Sequence, residues 1–236
     1  MELEELSRLS GINAQADLSR NILALKTASG APATEFSMAE DAIVGMADAY
    51  WAERHIQLPG LIRSKKIILA ALAEFKTKKK RNVQPLMFAR ADDIVIEPIR
   101  PEQFTGPTSA ITLDNWRQAG LVAGAVSILP NAAQVAGGDT VINVDDDELF
   151  IITDWVEHQP TPILSAIQAT SDNYVYNPLE IRWGTWGGGL SHYAMDYPWI
   201  FDVTIDINAK CEFNGTSELT PYGVHICLGR LIANLT

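Results

Sequence analysis

The densest run of side chains able to do chemistry is Asp145-Asp-Asp-Glu148. Hard cations such as calcium want several oxygen ligands. A continuous run supplies only part of such a shell, because neighbours on a strand point to opposite faces. The spaced acidic pattern of an EF-hand is absent. The run reads first as a solvated turn between strands, whose like charges deter stray edge pairing. A cation site is its other reading.

His55, His158, His192 and His225 are scattered, and none has a second His or Cys at familiar metal-motif spacing. Ser191 and His192 are adjacent, whereas a nucleophile and its base meet through space. There is no Gly-x-Ser-x-Gly, no phosphate-cradling glycine loop and no His-Glu-x-x-His. Two carboxylates about 5–9 Å apart would serve a glycosidase, but nothing in the spacing selects a pair. The expectation is therefore no catalytic residue, no metal and no cofactor, with a β-sandwich hydrolase kept as an alternative.

Trp183-Gly-Thr-Trp-Gly-Gly-Gly189 is the most unusual stretch. With Tyr193, Tyr197 and Trp199 after it, large aromatics crowd one segment beside glycines that permit close backbone approach. Trp183, Trp186, Tyr193, Tyr197 and Trp199 would suit stacking on sugar rings or anchoring a partner protein. The same residues also fit an irregular loop, 184–198, folded back over the end of a sandwich.

Lys76-Thr-Lys-Lys-Lys-Arg81 is the basic counterpart. Lys76, Lys78, Lys79, Lys80 and Arg81 could touch nucleic acid or an acidic partner, or end a helix against its negative dipole. Cys211 and Cys227 are too few for a disulfide framework and read as two free thiols.

These groups sit on two kinds of chain. Residues 1–82 hold 12 Lys/Arg against 10 Asp/Glu, while the remaining 154 residues hold 6 against 19. The net charge of −11 thus belongs to the second part, where phosphate would be repelled. Pro follows the same divide, with Pro32 and Pro59 in the first part and ten in the second. Hydrophobic content of 47% suits a globular protein, and a chain of 236 residues buries roughly 70% of its unfolded surface without help from metal or disulfide. No apolar run is long enough to span a bilayer, and the acidic start does not read as a secretory signal, so the expected location is cytoplasm or virion.

In the first part, Leu3, Leu6 and Leu9, then Leu18, Ile22 and Leu25, recur at helical spacing. Ser37-Met-Ala-Glu40 reads as a capping box opening a helix over about 37–56, with Ile43, Met46, Tyr50 and Trp51 on its apolar face. Pro59-Gly60 precedes a second helix over about 61–77, whose stripe includes Ile68, Leu72 and Phe75. Beyond residue 82, short Val/Ile-rich runs alternate with Pro and Gly turns. They fall at 94–96, 121–129, 140–144, 149–153, 163–170, 179–183, 201–207 and 223–229. Phe201 to Ile207 alternates strictly, and 149–153 is continuously apolar, as for a strand covered on both faces. Crossover helices are missing, which leaves antiparallel pairing.

The expected fold is α+β, mainly β: a helical N-terminal arm (1–82), then an antiparallel β-sandwich (83–236) of jelly-roll type. The helix stripes must be covered, either by the sandwich of their own chain or by other copies. In its order of arm, basic tract and strand-rich body with long loops, the chain resembles single jelly-roll capsid and coat proteins of viruses and virus-like shells. That resemblance implies a self-assembling structural subunit with other copies, and other shell proteins, as partners. It implies no functional residue and no membrane. Its arm carries only a small positive balance, where many such proteins have a strongly basic one for genome packing, which shifts the expected role towards shell contacts. A carbohydrate- or protein-binding module using residues 183–199 is the alternative.

Overall fold

The computed structural model describes residues 35–85, 90–100, 103–104, 117–121, 123–129, 142–158, 163–172, 174–180, 185–186 and 190–233. The leucine stripes before residue 28 and Trp183 lie outside them.

Among the described residues two helices come first: α1 (Glu35–Arg54) and α2 (Pro59–Lys79). α1 begins two residues before Ser37, so Ser37 lies inside the first turn rather than at a cap, correcting the capping-box expectation. The helices end on left-handed residues, His55 (φ 55°) and Lys80 (φ 52°), whose amides return to Trp51 and Lys76 carbonyls. A short α3 (Gly229–Ala233) follows the last strand.

The strands are β1 (Val83–Pro85), β2 (Ile94–Pro98), β3 (Arg117–Leu121), β4 (Gly124–Leu129), β5 (Ile142–Asn143), β6 (Glu148–Glu157), β7 (Leu164–Ser171), β8 (Tyr174–Val175), β9 (Leu179–Glu180), β10 (Thr185–Trp186), β11 (Leu190–Phe201), β12 (Thr204–Cys211) and β13 (Gly215–Leu228). One sheet runs β1-β2-β13-β6-β11-β10, with β3 also on β13. The other runs β4-β12-β7-β8, with β5 on β12 and β9 on β7. Pairing is antiparallel except for β1 with β2, a parallel edge pair that the sequence reading did not foresee.

Two regions of the strand reading are corrected. Phe201–Ile207 is not one strand: Phe201 ends β11, Asp202 and Val203 form a bend, and β12 starts at Thr204. Val203 is accordingly exposed, whereas Phe201, Ile205 and Ile207 are buried. Most of the expected loop 184–198 is strand, because β11 starts at Leu190 and pairs with β6.

The first sheet is covered on both faces. One core, between the sheets, holds Phe104, Phe150, Ile152, Trp155, Trp199, Phe201, Ile205 and Ile207. The other, beneath the helices, joins Ile43, Leu61, Ile68 and Leu72 to Ile94, Ile96, Ile151, Val224 and Ile226. The central strand β6 shows the consequence: Leu149 and Ile151 face the helices, and Phe150 and Ile152 face the second sheet. Val156 also faces the helices, although five residues separate it from Ile151 and strict alternation would oppose them. The slip falls where β13 shifts register between Tyr222 and Gly223, and β11 between Ala194 and Trp199. It leaves Asp154 facing the helices.

The described helices of the arm therefore share a core with its own body. Ile43, Met46, Ile68, Leu72 and Phe75 are buried there, and Tyr50 packs edge-on against Tyr222 at 5.0 Å. Of the two covers left open for these stripes, other copies or the chain's own sandwich, the described residues show the second: Ile43, Met46, Ile68, Leu72 and Phe75 are removed from water within one chain, with Tyr50 partly buried beside them.

Candidate functional site

Helix α2 is fixed at its start by a residue from the sheet. Leu58, its N-cap, has no side-chain acceptor, and Pro59 has no amide to offer. Asp154, fully buried, accepts the Gly60 amide at 3.0 Å and the Leu61 amide at 2.8 Å. The Thr153 hydroxyl donates to it at 2.7 Å, and His192 Nε2 lies 3.0 Å away. Charge-assisted bonds at a helix start are among the stronger polar contacts.

Around that joint lies exposed apolar surface. Trp51 (50% exposed) and Ile62 (43%) flank a cleft of about 470 Å³ together with Ala47, Leu58 and Pro59. Arg63, on the cleft's rim, pairs with Asp196 at 2.8 Å and donates to the Ala194 carbonyl at 3.1 Å. Those partners belong to the irregular stretch of β11 that also carries Tyr197, 80% exposed. Of the expected aromatic cluster, only Tyr197 is presented to solvent among residues whose side chains are described. Tyr193 and Trp199 are core, and β10 places the Trp186 backbone beside Leu190. The five-aromatic platform is thereby corrected for Tyr193 and Trp199, because β11 pairing turns both inward. Among the expected aromatic contact residues whose side chains are described, Trp51 and Tyr197 are exposed.

The basic tract meets acids of its own chain. Lys76 bonds Glu35, Lys78 reaches Glu74 at 2.9 Å, Lys79 reaches Asp147 at 3.1 Å and Arg81 reaches Asp92 at 3.4 Å. Lys80 forms the left-handed cap. The acidic run is likewise engaged: Asp147 also pairs with Arg230, while Asp145 and Asp146 stay exposed.

A second polar group is buried between the sheets. His225 and Cys227 lie two apart on β13, hence on one face, opposite Val224 and Ile226. Glu97 on β2 is the register partner of His225. Its Oε1 lies 3.0 Å from His225 Nδ1 and 3.9 Å from Cys227 Sγ. Glu148 on β6 places Oε2 3.1 Å from His225 Nε2. Gln103 donates to Glu97 Oε1 at 2.7 Å, and Arg100 holds the other oxygen at 2.9 Å. Phe150 stacks on the imidazole at 4.4 Å.

Each ring nitrogen of His225 faces a carboxylate, so both carry protons in this arrangement. Burial opposes the cation, but bonds to Cys227, Glu148 and Glu97 outweigh it and hold the imidazole well above its ordinary range. Burial pushes the Cys227 thiol up in spite of the neighbouring imidazolium. Cys211 is also buried and free, on β12. The isolated reading of His225 is thus corrected. Its i, i+2 spacing to Cys227 was a visible signal, but the register that brings Glu97 and Glu148 to it was not.

The fold defines the class: a mainly-β α+β protein with two helices on the outer face of a two-sheet body, the second anchored to the sheet by the buried Asp154 carboxylate. Among the described residues no helix is long and apolar enough to cross a membrane. Comparison with protein-family models, curated proteins and solved structures finds no match.

Proposed function

We propose that this chain is a self-assembling structural subunit, a capsid- or coat-type shell protein whose body is a jelly roll, acting with further copies of itself and without catalysis. The observation that carries the reading is strand order. Taking β2, β4, β6, β7, β8, β11, β12 and β13 as first to eighth, the sheets run first-eighth-third-sixth and second-seventh-fourth-fifth. First pairs with eighth, second with seventh, third with sixth and fourth with fifth. With β1, β3, β5, β9 and β10 set aside, this order supports the reading, because one long antiparallel ribbon rolled into two sheets, the double Greek key of capsid and lectin domains, would have it.

Exposed apolar groups at separate places support assembly over a solitary existence. Trp51 and Ile62 lie at the helix joint, Tyr197 on β11, Tyr174 and Val175 on the short strand β8, and Phe213 in the turn before β13. A closed shell needs more than one contact surface per subunit. Sedimentation and negative-stain microscopy of the purified full chain test the reading. Closed particles or defined oligomers support it, and a strict monomer across the accessible concentration range overturns it.

A further inference from the structure

We propose that Glu97, His225 and Cys227 form a transition-metal site of the zinc class, bridging the first and last strands of the body. This site is independent of assembly. Glu97 Oε1, His225 Nδ1 and Cys227 Sγ lie within 4.8 Å of one another, all buried. A carboxylate oxygen, an imidazole nitrogen and a thiolate are the mixed donor set that borderline metals take, and one that calcium and magnesium do not. With bonds of about 2.0–2.3 Å, tetrahedral donors stand roughly 3.3–3.8 Å apart. The oxygen–nitrogen and oxygen–sulfur separations here, 3.0 and 3.9 Å, bracket that range. To hold a metal, the carboxylate–imidazole pair opens by about 0.3 Å and the sulfur closes in on both.

The outer groups are those a metal site needs. Glu148 receives the Nε2 proton of His225, which leaves Nδ1 as the ligand and fixes the ring's orientation. Arg100 holds Glu97 by its Oε2, so Oε1 is the oxygen turned inward, and Gln103 steadies it. A dication entering the site takes the place of the proton between His225 Nδ1 and Glu97 Oε1 and of the Cys227 thiol proton, and both protons pass to solvent. Three protein ligands leave the fourth tetrahedral position to a small ligand such as water.

The test uses the full chain, prepared without a metal-chelating tag and loaded with cobalt(II) or zinc(II) after dialysis. The expected result is one equivalent of metal per chain, a near-ultraviolet cobalt–thiolate band, and a higher melting temperature that chelation reverses. Cys211→Ser keeps the band and Cys227→Ser loses it. Glu148→Gln weakens affinity by roughly 10–100-fold, as loss of an orienting partner does. Should Cys227→Ser not fold, Cys211→Ser decides, because its cobalt–thiolate band can come only from Cys227, the one thiol left in the chain. Folded wild type that takes up no stoichiometric metal overturns the proposal. So does a cobalt–thiolate band that survives Cys227→Ser, or one that disappears in Cys211→Ser.

Discussion

Asp154 and Gly60 are 94 residues apart in the chain, yet the Asp154 carboxylate caps the helix whose second residue is Gly60. Leu58, the N-cap of α2, has no side-chain acceptor, so the helix depends on the sheet for its first turn. A Cβ at Gly60 would stand 2.2 Å from the Thr153 carbonyl oxygen and 2.7 Å from Asp154 Oδ2. The joint accepts glycine for lack of space, and it fixes how the arm lies on the body.

Asp154→Ala should therefore cost about 2–4 kcal/mol, because it leaves two buried amides and a histidine without their acceptor. Gly60→Ala should be similarly harmful, since backbone must move to admit the methyl. Denaturant midpoints check both, and wild-type stability in either variant would contradict the joint.

Trp51→Glu and Ile62→Glu alter exposed positions, so each should change stability by no more than about 0.5 kcal/mol. If the cleft at the helix joint is an assembly surface, the variants stay folded and shift sedimentation towards smaller species. Unaltered particle size in both would assign assembly elsewhere.

Tyr197 and Trp199 are two apart but differ in kind. Trp199→Ala empties core beside Trp155 and Tyr176 and should cost about 3–5 kcal/mol. Tyr197→Ala should leave the melting temperature unchanged. Paired thermal scans separate them, and equal losses would mean that Tyr197 is not at the surface.

Glu157 carries the clearest pH signature. It is buried on β6, where its Oε1 accepts the Ile163 amide at 3.0 Å and the Ser217 hydroxyl at 3.1 Å, while Oε2 has no partner among the described residues. Burial raises its carboxyl above the ordinary 4.5, despite those bonds. A raised carboxyl favours the folded state at low pH, and this contribution is lost as pH climbs through the folded value. Glu157→Gln keeps an acceptor for both donors and removes the charge. It should stabilise the protein by up to about 1 kcal/mol at pH 7 and make little difference near pH 4. Melting curves across that range read it directly, and an equal effect at both ends would contradict the assignment.

The sequence by itself determined the local grammar. The Ile43/Met46 and Ile68/Leu72 stripes announce α1 and α2, and Pro59-Gly60 marks the break between them. Continuous apolar character at 149–153 announces a strand covered on both sides, which β6 is. Period and turn chemistry are properties of neighbouring residues, so they are legible without a fold. What covers a stripe is not local, and only the tertiary structure decided that the helices lie on their own sheet rather than on another copy. Register was equally out of reach. The slip within β6 turns Asp154 to the helices, and the pairing of β2, β13 and β6 brings Glu97 and Glu148 to His225. A one-residue shift in pairing moves every side chain to the opposite face, and no stretch of sequence read alone contains that information.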